Sequence, residues 1–269
     1  MRVFIASMMC LICVQSASAA EFTPWLDFPK SSFKDTKLRR DADSGAYCYA
    51  TEHSRIDADG APNAYHPNDL GRKTPPYLGL DNPANAGWSL SSHASWWPDV
   101  LVADPEHPSR PFVQRNGPFA DYFVSQTALR VKGGVRTEPK TYADSRTIPY
   151  VVLPGSTFPK LRGTGAPGDV GMVWNLANGK STPFVIGDAG GGNDAKLGEG
   201  SIALFAALGG VNLNARNGAG VALGVMRYVV FPRSRKALGW PATPNAIADL
   251  AGRLLEGVGG EKALTKCGT

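Results

Sequence analysis

The chain has 269 residues, with 28 Lys and Arg against 23 Asp and Glu and a formal net charge of +5. Its basic residues are scattered, so a nucleic-acid footprint is excluded, and the short cluster Arg233, Arg235 and Lys236 reads as solvated surface. No apolar run reaches the ~20 residues that span a bilayer, so stable membrane insertion is not expected.

In chain order, residues 1–20 read as a secretory signal. Arg2 supplies the positive start, Val3 to Val14 the apolar core, and Ala17-Ser18-Ala19 a small-residue cleavage site. The expected mature protein begins at Ala20 or Glu21 and is secreted or periplasmic. Cys10 and Cys13 leave with the signal, while Cys48 and Cys267 remain. An oxidising compartment permits these two to bond, and a disulfide is expected, although two lone cysteines can also stay apart. Neither has a second ligand at finger spacing, and His53, His66, His93 and His107 show no HExxH pattern, so no metal is expected.

Residues 21–45 are polar without period and read as an extended lead-in to a single domain over 46–269. From Gly87 to Pro118 come five prolines and three tryptophans, Trp88, Trp96 and Trp97. That stretch reads as a long ordered loop laid over the domain, its tryptophans either packing it down or stacking on a ligand. Ile148 to Leu153, Gly171 to Leu176, Thr182 to Ile186 and Met226 to Phe231 are short apolar runs bounded by turn residues, which predicts strands. Asn178-Gly179 supplies a hairpin turn between the second and third. Ser201 to Leu208 predicts a helix capped by Ser201 and ended by Gly209. A second helix opens at Thr243-Pro244, with Ile247, Leu250, Ala251, Leu254 and Leu255 on one face. The fold class is therefore mainly β, with a few peripheral helices.

Chemistry concentrates in the stretch from Val185 to Ser201. Asp188 ends an apolar strand, and Glu199 follows eleven positions later, ahead of a helix, with the glycine loop Gly190-Gly191-Gly192-Asn193 between them. Two acids on rigid elements joined by a flexible loop suit general acid and base work on a glycosidic bond; they also suit helix and turn capping. Desolvation at a strand end favours Asp188 as the acid, and a positive helix end favours Glu199 as the base. Asp169 reads as a turn-bonding residue and Asp194 as a solvated loop acid. No G-x-S-x-G elbow occurs, and the triple glycine lacks the Lys-Ser/Thr of a P-loop.

Several motifs resemble the fungal-type chitosanases of glycoside hydrolase family 75. They are Asp59-Gly60-Ala61-Pro62-Asn63-Ala64-Tyr65-His66-Pro67, Gly79-Leu80-Asp81, Ala84-Asn85-Ala86-Gly87, Ile148-Pro149-Tyr150-Val151-Val152-Leu153-Pro154, Gly168-Asp169-Val170-Gly171, and Gly187-Asp188 leading to Gly198-Glu199-Gly200-Ser201. The similarity runs from about Ala46 to Leu255, and the chain departs from it in the triple-glycine loop and the insertion after Gly87. The resemblance implies cofactor-free endo-hydrolysis of chitosan, with inversion, by an Asp/Glu pair at Asp188 and Glu199. Tyr65, His66, Asp81 and Asn85 fall in its other specific motif, as sugar-binding residues or as a packed turn. The Gly168-Asp169 pair is similar to the turn of double-psi β-barrels, which implies a six-stranded closed barrel. Two alternatives to a chitosanase stand beside this reading: an enzyme acting on another amino-sugar polymer such as peptidoglycan, and a non-catalytic polysaccharide-binding protein.

Overall fold

The computed structural model describes residues 20–28, 36–155, 158, 163–191 and 195–267. The expected signal and Asp194 lie outside these residues, apart from Ala20. Nine strands form one mixed sheet: β1 (Thr23–Phe28), β2 (Thr36–Arg40), β3 (Tyr47–Thr51), β4 (Arg55–Asp57), β5 (Tyr150–Pro154), β6 (Val170–Asn175), β7 (Ser181–Gly190), β8 (Glu199–Ser201) and β9 (Met226–Phe231). Their order across the sheet is β1-β2-β3-β9-β6-β7-β5-β8-β4.

The protein is thus mainly β, but the ladder has two ends. Among the described residues β1 and β4 do not pair, so the sheet is not closed, and the closed six-stranded barrel expected from the Gly168-Asp169 turn is not shown. The described part of residues 21–45 belongs to the sheet. β1 and β2 pair antiparallel, and β2 continues onto β3 through Arg39↔Cys48. Phe22 and Leu38 bury themselves there almost completely, which anchors otherwise polar strands.

Both faces of the central strands are covered, so side chains alternate between two cores rather than between core and water. Tyr150, Val152, Val170, Val185 and Val229 pack on one face against α3 (Pro244–Gly257). Thr243 caps this helix through Ala246 N (3.2 Å), and Ile247, Leu250 and Ala251 are its buried side. Val151, Leu153, Val173, Phe184, Ile186 and Tyr228 pack on the other face with Leu204 and Phe205 of α1 (Ile202–Ala207). Ser201 caps α1 by accepting from Leu204 N at 3.1 Å. A short helix α2 (Arg235–Leu238) follows β9.

Residues 58–147 have almost no regular structure, only single 3-10 turns and isolated bridges. They still build a core of their own from Ala58, Ala61, Ala64, Tyr65, Trp97, Leu101 and Phe123. Trp88 packs against Trp97, with ring centroids 5.1 Å apart, and stacks on His93. Two of the three inserted tryptophans therefore serve packing, and Trp96 is the exposed one. Cys48 on β3 and Cys267 near the chain end are bonded, with Cα atoms 5.8 Å apart, across a sequence separation of 219.

Candidate active site

The last four strands, β7-β5-β8-β4, carry the acids. Val152 on β5 pairs with Asp188 on β7, and Val151 pairs antiparallel with Gly200 on β8, which brings Glu199 abreast of Val152. Arg55 on β4 pairs with Glu199, and Asp57 with Ser201. Asp188 and Glu199 thus lie in one row, two interstrand steps apart, about 10 Å between backbones.

Glycines make this row possible. A bulge between Val151 and Val152 leaves Gly187 against the ring of Tyr150, where a Cβ would strike Cγ and Cβ of the tyrosine. Gly198 has φ +111°, and its Cβ would collide with the His53 carbonyl. Gly200 is pressed against the Tyr150 carbonyl oxygen. Glu199 is therefore the one side chain that fits in Gly198-Glu199-Gly200, held between two positions that admit none.

Two further acids sit behind the pair. Asp57 ends β4 and Asp59 follows it; they are 8% and 9% exposed, whereas Asp188 and Glu199 reach the surface. Ligand oxygens of Asp57, Asp59 and Asp188 lie within 4.8 Å of one another. Asp57 Oδ1 accepts from Asp59 N (2.8 Å), and its Oδ2 is 3.0 Å from the Tyr150 hydroxyl. Asp59 Oδ1 accepts from Tyr65 (2.8 Å) and Ser125 (2.9 Å). Asp188 Oδ1 accepts from Ala128 N (2.8 Å) and Ala189 N (2.7 Å). The spacing would admit a shared cation, since a carboxylate offers about four lone-pair sites and Asp57 accepts one hydrogen bond on each oxygen.

Crowded acids in a place with little water hold protons. Burial first, then the charge of Asp57, pushes Asp188 up to about 7, against the pull of its two backbone donors. Glu199 is pushed up to about 8 by burial and Asp57, with Arg55 (3.5 Å away) pulling the other way. Burial raises Asp57 to about 6, and carries Asp59 well above the carboxylate range with help from Asp57 and Asp188. Glu199 lies in β8, two positions before the cap Ser201 of α1. Both carboxyls are thus raised, and the two N–H donors on Asp188 directly oppose its protonation.

The remaining sequence candidates divide. Tyr65 is 3% exposed, so it orients Asp59 and offers no face for a sugar. His66 is buried, caps the turn at Pro67–Asp69 by accepting from Asn68 N, and lies edge-on to Tyr122. Asp81 bridges to Tyr65, accepts from Asn82 N (2.6 Å) and Asn85 Nδ2 (2.7 Å), and is raised chiefly by burial. It adds its charge to those acting on Glu199 and Asp57. Asp169 does what a turn aspartate does: it is fully buried and accepts from Ala166 N (3.0 Å), Arg235 N (2.9 Å) and Arg235 Nη1 (2.9 Å). Arg235 therefore locks a turn, and is not part of a merely solvated basic cluster.

Sequence reasoning missed Asp57. The available signal was Asp57-Ala58-Asp59-Gly60, acids at alternate positions before a glycine of φ +76° whose Cβ would strike the Ala143 carbonyl. Comparison with known proteins gives no family-model match and no match among curated sequences, so the chitosanase resemblance rests on the motifs themselves.

Proposed function

We propose that this chain is an exported, endo-acting glycoside hydrolase of chitosanase type, cutting β-1,4 bonds in a glucosamine-containing polysaccharide. The observation that carries the reading is the pair of surface-reaching acids, Asp188 and Glu199, abreast across the sheet and raised to about 7 and about 8. A general acid must keep its proton near neutral pH until the leaving oxygen needs it, and burial gives Glu199 that property. Glu199 donates its proton to the glycosidic oxygen as the bond from that oxygen to the anomeric carbon breaks. Asp188, whose ionised form Ala128 N and Ala189 N favour, takes a proton from the water that attacks the same carbon from the opposite face. The product is inverted, and one proton has passed from acid to product and one from water to base. A backbone separation of about 10 Å leaves room for that water, since inverting pairs stand about 6.5–9.5 Å apart. The Cys48–Cys267 bond fits export to an oxidising compartment.

A reducing-end assay on chitosan, chitin and peptidoglycan, with early proton NMR of the product anomer, tests the reading. Release from chitosan with the α anomer appearing first is expected. A β product first would require a retaining pair; release from peptidoglycan alone would move the substrate. A folded protein releasing nothing from any of them would leave a polysaccharide-binding protein.

A further inference from the structure

Asp57 has no part in the two proton transfers, yet it lies beside Asp188 and on the strand next to Glu199. Its neighbours are Arg55 on its own strand, Asp59, Tyr65 and Asp81 from the segment that follows, Tyr150 on β5, Asp188 on β7 and Glu199 on β8. Arg216 acts on Asp81 from the far side. The Tyr150 hydroxyl has one proton and two acceptors in reach, Oδ2 of Asp57 at 3.0 Å and the Asp59 carbonyl oxygen at 2.9 Å. When Asp57 is ionised, Tyr150 donates to it. When Asp57 holds a proton, Asp57 donates to the Tyr150 oxygen, which turns its own proton to the Asp59 carbonyl.

We propose that Asp57, paired with Tyr150, is a positioning residue whose buried charge keeps the acid Glu199 loaded with its proton. This deepens the hydrolase reading and takes the acid and base assignment from it. Asp57 lies within 4.8 Å of Asp188 and one strand from Glu199, and when protonated it can donate a hydrogen bond to the Tyr150 oxygen inside the site. Its charge is also the largest electrostatic influence on both members of the pair.

Carboxyl ¹³C NMR titration of the full protein, labelled at Glu and Asp side chains, reads this without any substrate. In the native protein the Glu199 signal should titrate near pH 8 and carry a second inflection where Asp57 titrates, as coupled acids do. In Asp57→Asn the Glu199 midpoint should fall by about one pH unit or more, the scale of one nearby charge, and the Asp188 midpoint should fall with it. Asp57→Glu keeps the charge and should restore most of the shift. Tyr150→Phe should move Glu199 in the same direction as Asp57→Asn, by less. A one-step Glu199 curve in the native protein, or an unmoved midpoint in folded Asp57→Asn, overturns the proposal; the native curve decides if that variant does not fold. If the midpoints move as expected while no polymer is cut, the role of Asp57 in loading Glu199 holds and the hydrolase reading is the one that falls.

Discussion

Two Gly-Asp pairs sit near each other in this sheet, Gly168-Asp169 before β6 and Gly187-Asp188 within β7, and their surroundings could hardly differ more. Asp169 is fully buried, and its oxygens accept two backbone N–H groups and the guanidinium of Arg235. Every lone pair it needs to share is shared, and its charge has a counter-charge. Asp188 has two N–H donors as well, but the charges around it are Asp57, Asp59 and, further along the row, Glu199. The same dipeptide thus makes a lock in one place and an unresolved charge in the other. Buried acids left facing acids are destabilising, and such arrangements cluster at functional sites.

Mutation separates the two aspartates most clearly. Asp188→Asn and Glu199→Gln should each lower hydrolysis by about 10²–10⁴-fold, the scale of a general acid or base, as read by reducing-end release at saturating polymer. Asp169→Asn should leave the rate per folded molecule near normal. Its expected effect is a loss of about 1–3 kcal/mol in a urea melt, moderated because Arg235 is partly exposed.

Stability against pH sharpens the contrast. Carboxyls raised in the folded state favour folding below their unfolded pKa, and that contribution is lost as pH climbs through the folded value. For Asp188 and Glu199 the loss runs from about pH 4 to about 8. The protein should therefore melt lower at pH 8.5 than at pH 5, and Glu199→Gln should flatten that slope by about 1–2 kcal/mol. Scanning calorimetry across this range checks it; a native stability that rises steadily with pH would contradict it.

The smallest expected effect is on the rate profile. kcat/KM should climb as the base ionises near pH 7 and fall as the acid loses its proton near pH 8, a narrow bell whose limbs belong to the coupled pair. A profile flat from pH 5 to 9 would mean neither group moves a proton in the step that sets the rate.

How much of this could be read from the residues follows from what each element depends on. β5, β6, β7 and β9 were legible because their apolar, β-branched runs are buried on both faces, and α1 and α3 because Ser201 and Thr243 cap them. β1, β2 and β4 were not, because Arg55-Ile56-Asp57 or Thr36 to Arg40 are polar and become strands only by pairing with neighbours far along the chain. Ring closure is likewise a property of how the ends meet, and a Gly-Asp turn does not encode it. Asp188 and Glu199 could be picked out because Gly187 precedes the one and Gly198 and Gly200 flank the other. Asp57 could not, since its importance lies in Tyr150, Asp188 and Glu199, which come to it from three other strands.

One variant reads both halves of the account together. Glu199→Gln should lose at least about 10²-fold in turnover while its melting temperature at pH 8 rises above that of the native protein, because it removes a proton donor and a destabilising charge in one change. Measured side by side, lower turnover with a higher melting temperature is the result expected. Turnover kept near normal, or a melting temperature that falls as it would for Asp169→Asn, would mean Glu199 is a structural acid and the site has been misread.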